Sequence, residues 1–337
     1  METIVDNHPK ADRSWEKVIM KYNRPDLRKS IWQICNSLIP YVLMWYLMYM
    51  SLHYSYWLTL LLCMPACGFL IRLFIIFHDC GHGSFFRSKK ANDTIGMIMG
   101  ILAFTPYFKW HHEHSIHHST AGNLDKRDIG DVWTLTVEEY LNSSRWRRFF
   151  YRAFRNPFFM FSLGPVFIIL VLNRFSKKQM TRKEKWNIYF TNTMILLIAT
   201  IISLFIGLKA YLLIQLPILL ISHIFGLWLF YIQHQFDETS WERDSSWDYK
   251  TAAIKGSSFL KLPAILQWFT GNIGFHHIHH LSSRIPNYNL SSCHYENELF
   301  KDVKPIIIFS TFKALTLSLW DEESRRMISF RKISVSI

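Results

Sequence analysis

The sequence predicts an all-α integral membrane protein: four transmembrane helices in two hairpins, a cytosolic histidine-rich cap and additional membrane-surface helices. Three observations predict it. Four apolar runs with one charge at most reach bilayer length, basic residues collect in the connections on one side of them, and most histidines lie in those same connections. The 337-residue chain is 50 % hydrophobic yet 19 % charged, with mean hydropathy +0.07. That mixture fits apolar blocks alternating with charged blocks, not one soluble core.

Residues 1–30 are polar, carry both signs and lack a cleavable signal pattern, so they read as a cytosolic N-terminal segment. Residues 31–337 read as a single membrane domain. A span of about 20 apolar residues crosses a hydrocarbon core roughly 30 Å thick. Four segments qualify: Ile31 to Met50, His53 to Phe77 with the single charge Arg72, Ile188 to Leu208, and Tyr211 to Ile232. Two further apolar runs, Ile95 to Phe108 and Phe158 to Leu172, would reach only about 21–23 Å as straight helices. Pro106 and Gly164-Pro165 interrupt them, and they read as membrane-surface or re-entrant segments.

The links inside the hairpins, Ser51-Leu52 and Lys209-Ala210, hold a single lysine. Nearly all other Lys and Arg lie in the remaining connections, which therefore face the cytosol. This places 78–187 and 233–337 in a cytosolic cap. The net charge of +13 comes without zinc-finger spacing or a basic repeat, so it points to anionic lipid or acidic partners and not to nucleic acid. Five cysteines, an odd number and mostly beside apolar runs, suggest no disulfide framework. The stretch Phe312 to Trp320 reads as a surface helix.

Eleven of the 16 histidines fall in three short windows. His78 and His82 are four apart. His114, His117 and His118 follow an i, i+3, i+4 pattern, and so do His276, His279 and His280, with His111, His112 and His277 beside them. Residues so spaced share one helix face, and each cluster can aim imidazoles at one point outside the membrane. Imidazole suits iron, copper, nickel and zinc. Eight converging rings exceed what one four-coordinate zinc requires, and two irons could use them. His234, at the cytosolic end of the fourth span, is a candidate ninth ligand. His223, in mid-span, reads as a neutral histidine packed between helices, and His53 and His294 as surface residues. Asp79, Asp125, Asp128, Glu113 and Asp131 are candidates to hold the outer nitrogens of the ligands. Asn272 lies four residues before His276 and on a continuous helix would share its face, where it could hold a water near the metal. Arg72 could snorkel to headgroups or pair with a loop carboxylate.

These clusters, in this order between paired spans, resemble the three histidine boxes of the membrane fatty-acid desaturases. The strings RLFIIFHDCGH, HSIHHST, NLDKRDIGD, WLFYIQHQF, GSSFLKLP, TGNIGFHHIHHLS and SLWDEE resemble the bacterial acyl-lipid desaturases of the bacillus type, and they cover nearly the whole chain. The resemblance implies two non-haem irons, O2 as co-substrate and oxidation of an unactivated C–H pair in a fatty-acyl chain. It implies a multi-pass protein of the bacterial plasma membrane with a cytosolic active site, and acyl chains of membrane phospholipid as substrate. Relatives of this type take electrons from a ferredoxin or flavodoxin, and Δ5 is the double-bond position the resemblance suggests. Another membrane diiron oxidase, such as an alkane or fatty-acyl hydroxylase, would carry similar boxes. A metal carrier would place ligands inside its spans, where only His223 is found.

Overall fold

The structure is a computed structural model that describes residues 14–127 and 130–333. Asp128 lies outside the described residues. Four helices are long and apolar enough to cross a membrane: Leu27–Ser51, Tyr56–Gly81, Arg182–Ile206 and Leu208–His234. The first starts at Asp26, whose carboxylate accepts the N–H groups of Arg28 and Lys29. The third starts six residues before its apolar run, because Thr181 and Glu184 form a capping box around its charged first turn. The expected Lys209-Ala210 link is instead the single residue Gly207. Its φ of 86° suits glycine, and Lys209 sits in the first turn of the fourth span.

The first and second spans pack as one hairpin and the third and fourth as another, with the second and fourth in contact between them. Leu70, Leu73, Phe77, Ile214 and Ile218 bury the centre of that packing. Leu196, Leu204 and Phe205 of the third span point outward, an apolar face suited to lipid.

The two short apolar runs end up in different places. One contributes most of its residues to the 14-residue helix Lys89–Leu102, which is too short to span. The other forms Pro157–Phe167 and a π-helical turn, Ile168–Leu172, set at 80° to the helix Arg145–Phe154.

The remaining chain forms a cap of short helices with strands of two or three residues, which the sequence reading lacked. Leu135–Thr136 runs parallel to Leu319–Asp321, which pairs antiparallel with Arg326–Ile328. Phe259–Lys261 runs parallel to Pro305–Ile307. Strands this short leave no alternating pattern to read. For the same reason the expected surface helix at Phe312 to Trp320 is corrected: the helix is Ile308–Ala314, and Trp320 is buried in a strand.

Candidate metal centre

Four helix segments converge at one end of the spans. His78 lies in the last turn of the second span and His82 is its C-terminal cap. The second box sits on the helix Tyr107–Thr120, the third on His276–Leu281, and His234 ends the fourth span. Tyr107 fixes the second box by donating its hydroxyl to Cys80 O at 2.8 Å, between the two histidines of the first box.

The rings divide into two groups, each with its ligand atoms within 4.8 Å of one another. One holds His78, His82, His114, His118 and His279; the other holds His117, His234, His276 and His280. The i, i+3, i+4 spacing does more than place three rings on one face. In the second box the i, i+4 pair goes to the five-histidine group and His117 to the other. In the third box the pair His276 and His280 goes to the four-histidine group and His279 crosses over. The helices of the second and third boxes therefore each serve both groups, while the first box serves the group of five alone.

Hydrogen bonding tests whether these groups fit metal ions. His117 Nδ1 lies 2.7 Å from Asp131 Oδ1, and His234 Nδ1 lies 3.4 Å from Gly256 O. With both Nδ1–H groups donated, each Nε2 carries a lone pair, yet the two Nε2 atoms face each other at 3.1 Å. His118 Nε2 likewise faces His114 Nε2 at 3.1 Å and His279 Nε2 at 3.0 Å, where one proton cannot serve all three. His82 Nε2 and His280 Nε2 are buried without a partner among the described residues. Converging lone pairs of this kind fit a cation. Burial, reinforced by the neighbouring imidazoles, holds His82, His114, His118, His276, His279 and His280 well below the usual 6.5. Neutral imidazole is the ligand form.

The structure places some of the candidate outer contacts beside the histidines and others elsewhere. Asp79 lies 3.2 Å from His78 Nδ1 through Oδ1, and its Oδ2 accepts the backbone and side-chain N–H of Asn287. Asn287 in turn exchanges amide hydrogen bonds with Gln33 of the first span. Gln33 and Asn287 were not anticipated; the one signal was an amide within an apolar span. Asp131 is the carboxylate on His117, and Glu113 instead pairs with Lys109 at 3.1 Å. Asp125 is corrected: it is half-exposed, binds Arg243 at 2.8 Å and accepts the N–H of Asp244, so it ties cap loops together. Asn272 is corrected too. The helix before it ends at Phe269 and the next begins at His276, Asn272 has φ 59°, and its side chain donates to Asn287 O.

Among the described residues, Arg72 meets no carboxylate, and it is shut off from solvent. It is buried, donates to Trp268 O, and its guanidinium lies 3.9 Å from the Trp268 ring centroid. His223 bonds Leu219 O at 2.9 Å, as a packed histidine would. His294 is buried against His277 at 3.2 Å, which corrects its reading as a surface residue; burial pushes His277 down to about 3. Trp110 stacks on His114 at 4.3 Å and Phe230 packs 5.3 Å from His117, so aromatic rings wall the groups.

Residues 55–309 match the fatty acid desaturase family. A fatty acid desaturase of Bacillus subtilis is 48 % identical over 317 residues, 94 % of this chain and 90 % of that protein. An sn-1 oleoyl-lipid 12-desaturase of Synechocystis is 26 % identical over 66 % of this chain and 63 % of its own. An sn-1 acyl-lipid omega-3 desaturase (ferredoxin) from the same organism is 27 % identical, over 65 % and 61 %.

Proposed function

The chain belongs to the fatty acid desaturase family, and from that membership we propose that it places a cis double bond in acyl chains of membrane phospholipid, using two non-haem irons and O2. The observation that carries the diiron reading is the division of nine histidines into a group of five and a group of four. His78, His82, His114, His118 and His279 would hold one iron, and His117, His234, His276 and His280 the other. Iron bound there would supply the oxidising power that an unactivated C–H bond demands.

The balance is fixed by the product. Two hydrogens leave adjacent carbons, two electrons and two protons arrive from outside, and O2 leaves as two waters. The chain's own part is to hold ligands and keep water out. Asp79, Asp131 and the carbonyl of Gly256 each face a ligand Nδ1 and orient that ring with Nε2 inward. Trp110 and Phe230 keep the surroundings apolar, as a hydrocarbon substrate requires.

A ferredoxin or flavodoxin would deliver the electrons. This is supported by the names of the Synechocystis relative and a Nostoc relative, each an acyl-lipid omega-3 desaturase (ferredoxin). The bacterial relatives support a plasma-membrane enzyme, and the basic connections support a cytosolic active site. Labelling of exposed Lys126 from outside intact cells would refute that orientation. Δ5 is the position favoured by resemblance to the bacillus type.

The deciding experiment expresses the chain in a host lacking unsaturated acyl chains and locates any new double bond by mass spectrometry. An alkene with two irons per chain is expected. An alcohol as main product would refute desaturation, and an active preparation without iron would refute the metal assignment.

A further inference from the structure

The helix Arg145–Phe154 carries four arginines and no acid. Tyr151 turns inward, fully buried, donating its hydroxyl to Ser318 O and accepting the N–H of Leu135 at 3.0 Å. At about 100° per residue, Trp146, Phe149 and Phe150 form one arc turned away from Tyr151. Trp146 is 73 % exposed, and Phe149 and Phe150 are each 59 % exposed. Arg145 borders that arc on one side and Arg147 on the other, with Arg148 further round beyond Arg145 and half-buried. Arg152 is used internally, over the rings of Tyr140 and Phe330. Among the described residues, no ion pair links Arg145, Arg147 or Arg148 to a carboxylate.

The chain then bends by 80° into Pro157–Leu172, where Phe158, Leu163, Phe167 and Leu170 are exposed. Pro157–Phe167 packs against the fourth span, and with that apolar limb entering the bilayer beside the spans, the 80° bend lays the basic aromatic limb in the plane of the headgroups. Aromatic rings favour that depth, and guanidinium groups match phosphodiesters.

We propose that Arg145–Phe154 is a docking surface for anionic phospholipid headgroups. The rings of Trp146, Phe149 and Phe150 enter the upper acyl region, while Arg145, Arg147 and Arg148 bind the phosphates. The surface belongs to the fold and holds whatever reaction the histidine groups perform. It concentrates acidic lipids beside the cap.

The test uses the full chain in bilayers of phosphatidylcholine with and without phosphatidylglycerol. Phosphatidylglycerol retained through purification is counted by mass spectrometry for the wild type, for R145Q/R147Q/R148Q and for the charge-preserving R145K/R147K/R148K. The glutamine variant should retain less, by about fivefold for each arginine, which corresponds to ~1 kcal/mol each. The lysine variant should retain most of it. The fluorescence lost in Trp146→Phe should be the part quenched by lipid brominated high in the acyl chain. Equal retention in all three proteins would overturn the proposal. So would a Trp146 signal quenched by aqueous iodide but not by brominated lipid, particularly if the glutamine variant raised only the KM for an acidic electron carrier.

Discussion

Asn287 donates both its backbone N–H and its side-chain amide to Asp79 Oδ2, at 2.7 and 2.8 Å. It thereby couples the third-box region to the carboxylate beside His78. Asn287→Ala removes one of those donors and leaves the Gln33 amide without its partner. We expect a stability loss of roughly 1–3 kcal/mol and metal affinity about 10–100-fold lower. Thermal unfolding of metal-free protein and iron per chain at limiting iron measure the two. Wild-type values for both would refute the coupling.

His117→Ala and His279→Ala each remove one ring from a different histidine group. Each should lower activity by more than the roughly 10–100-fold typical of losing an outer contact, while membrane insertion persists. Retained turnover in either variant would remove that residue from the ligand set.

The buried imidazoles give metal-free protein a pH dependence. His114, His118, His276, His279 and His280 have folded values below 6.5, so between those values and 6.5 the unfolded chain binds more protons. Stability then rises with pH across that window. The thermal midpoint of chelator-stripped protein should fall as pH drops below about 6.5, the reference value for histidine. A midpoint that rises on acidification would contradict the burial.

A Cβ on Gly96 would lie 2.2 Å from the buried Tyr107 ring. That ring has little room, because its hydroxyl is fixed to Cys80 O. Gly96→Ala should cost about 1–3 kcal/mol and weaken activity by shifting the second-box helix. An unchanged melting temperature would mean that the contact is slack.

Asp125→Asn tests the corrected reading of that residue. It should loosen the loop tie to Arg243 slightly and leave iron content unchanged. Loss of iron at normal stability would return Asp125 to the metal centre.

The spans and boxes were legible because bilayer length and helical spacing are local patterns. His234 was legible because it ends a span on the side where the boxes lie. The division of the second and third boxes between two groups was not, since it depends on the angles at which separate helices meet. Asp131 and Asp125 looked equivalent in sequence, eight and two residues after Asn123. Only the folded structure puts one against His117 and the other against Arg243. Gln33 and Asn287 are 254 residues apart, and no local pattern links them.

The crossing of His279 into the group of five has a consequence for biosynthesis. Neither cage has its full set of rings until residues 276–280, in the last quarter of the chain, have left the ribosome, because one lacks His279 and the other His276 and His280 before then. The spans must therefore be inserted before either cage is complete, and a chain truncated before His276 should be threaded through the membrane with both cages open.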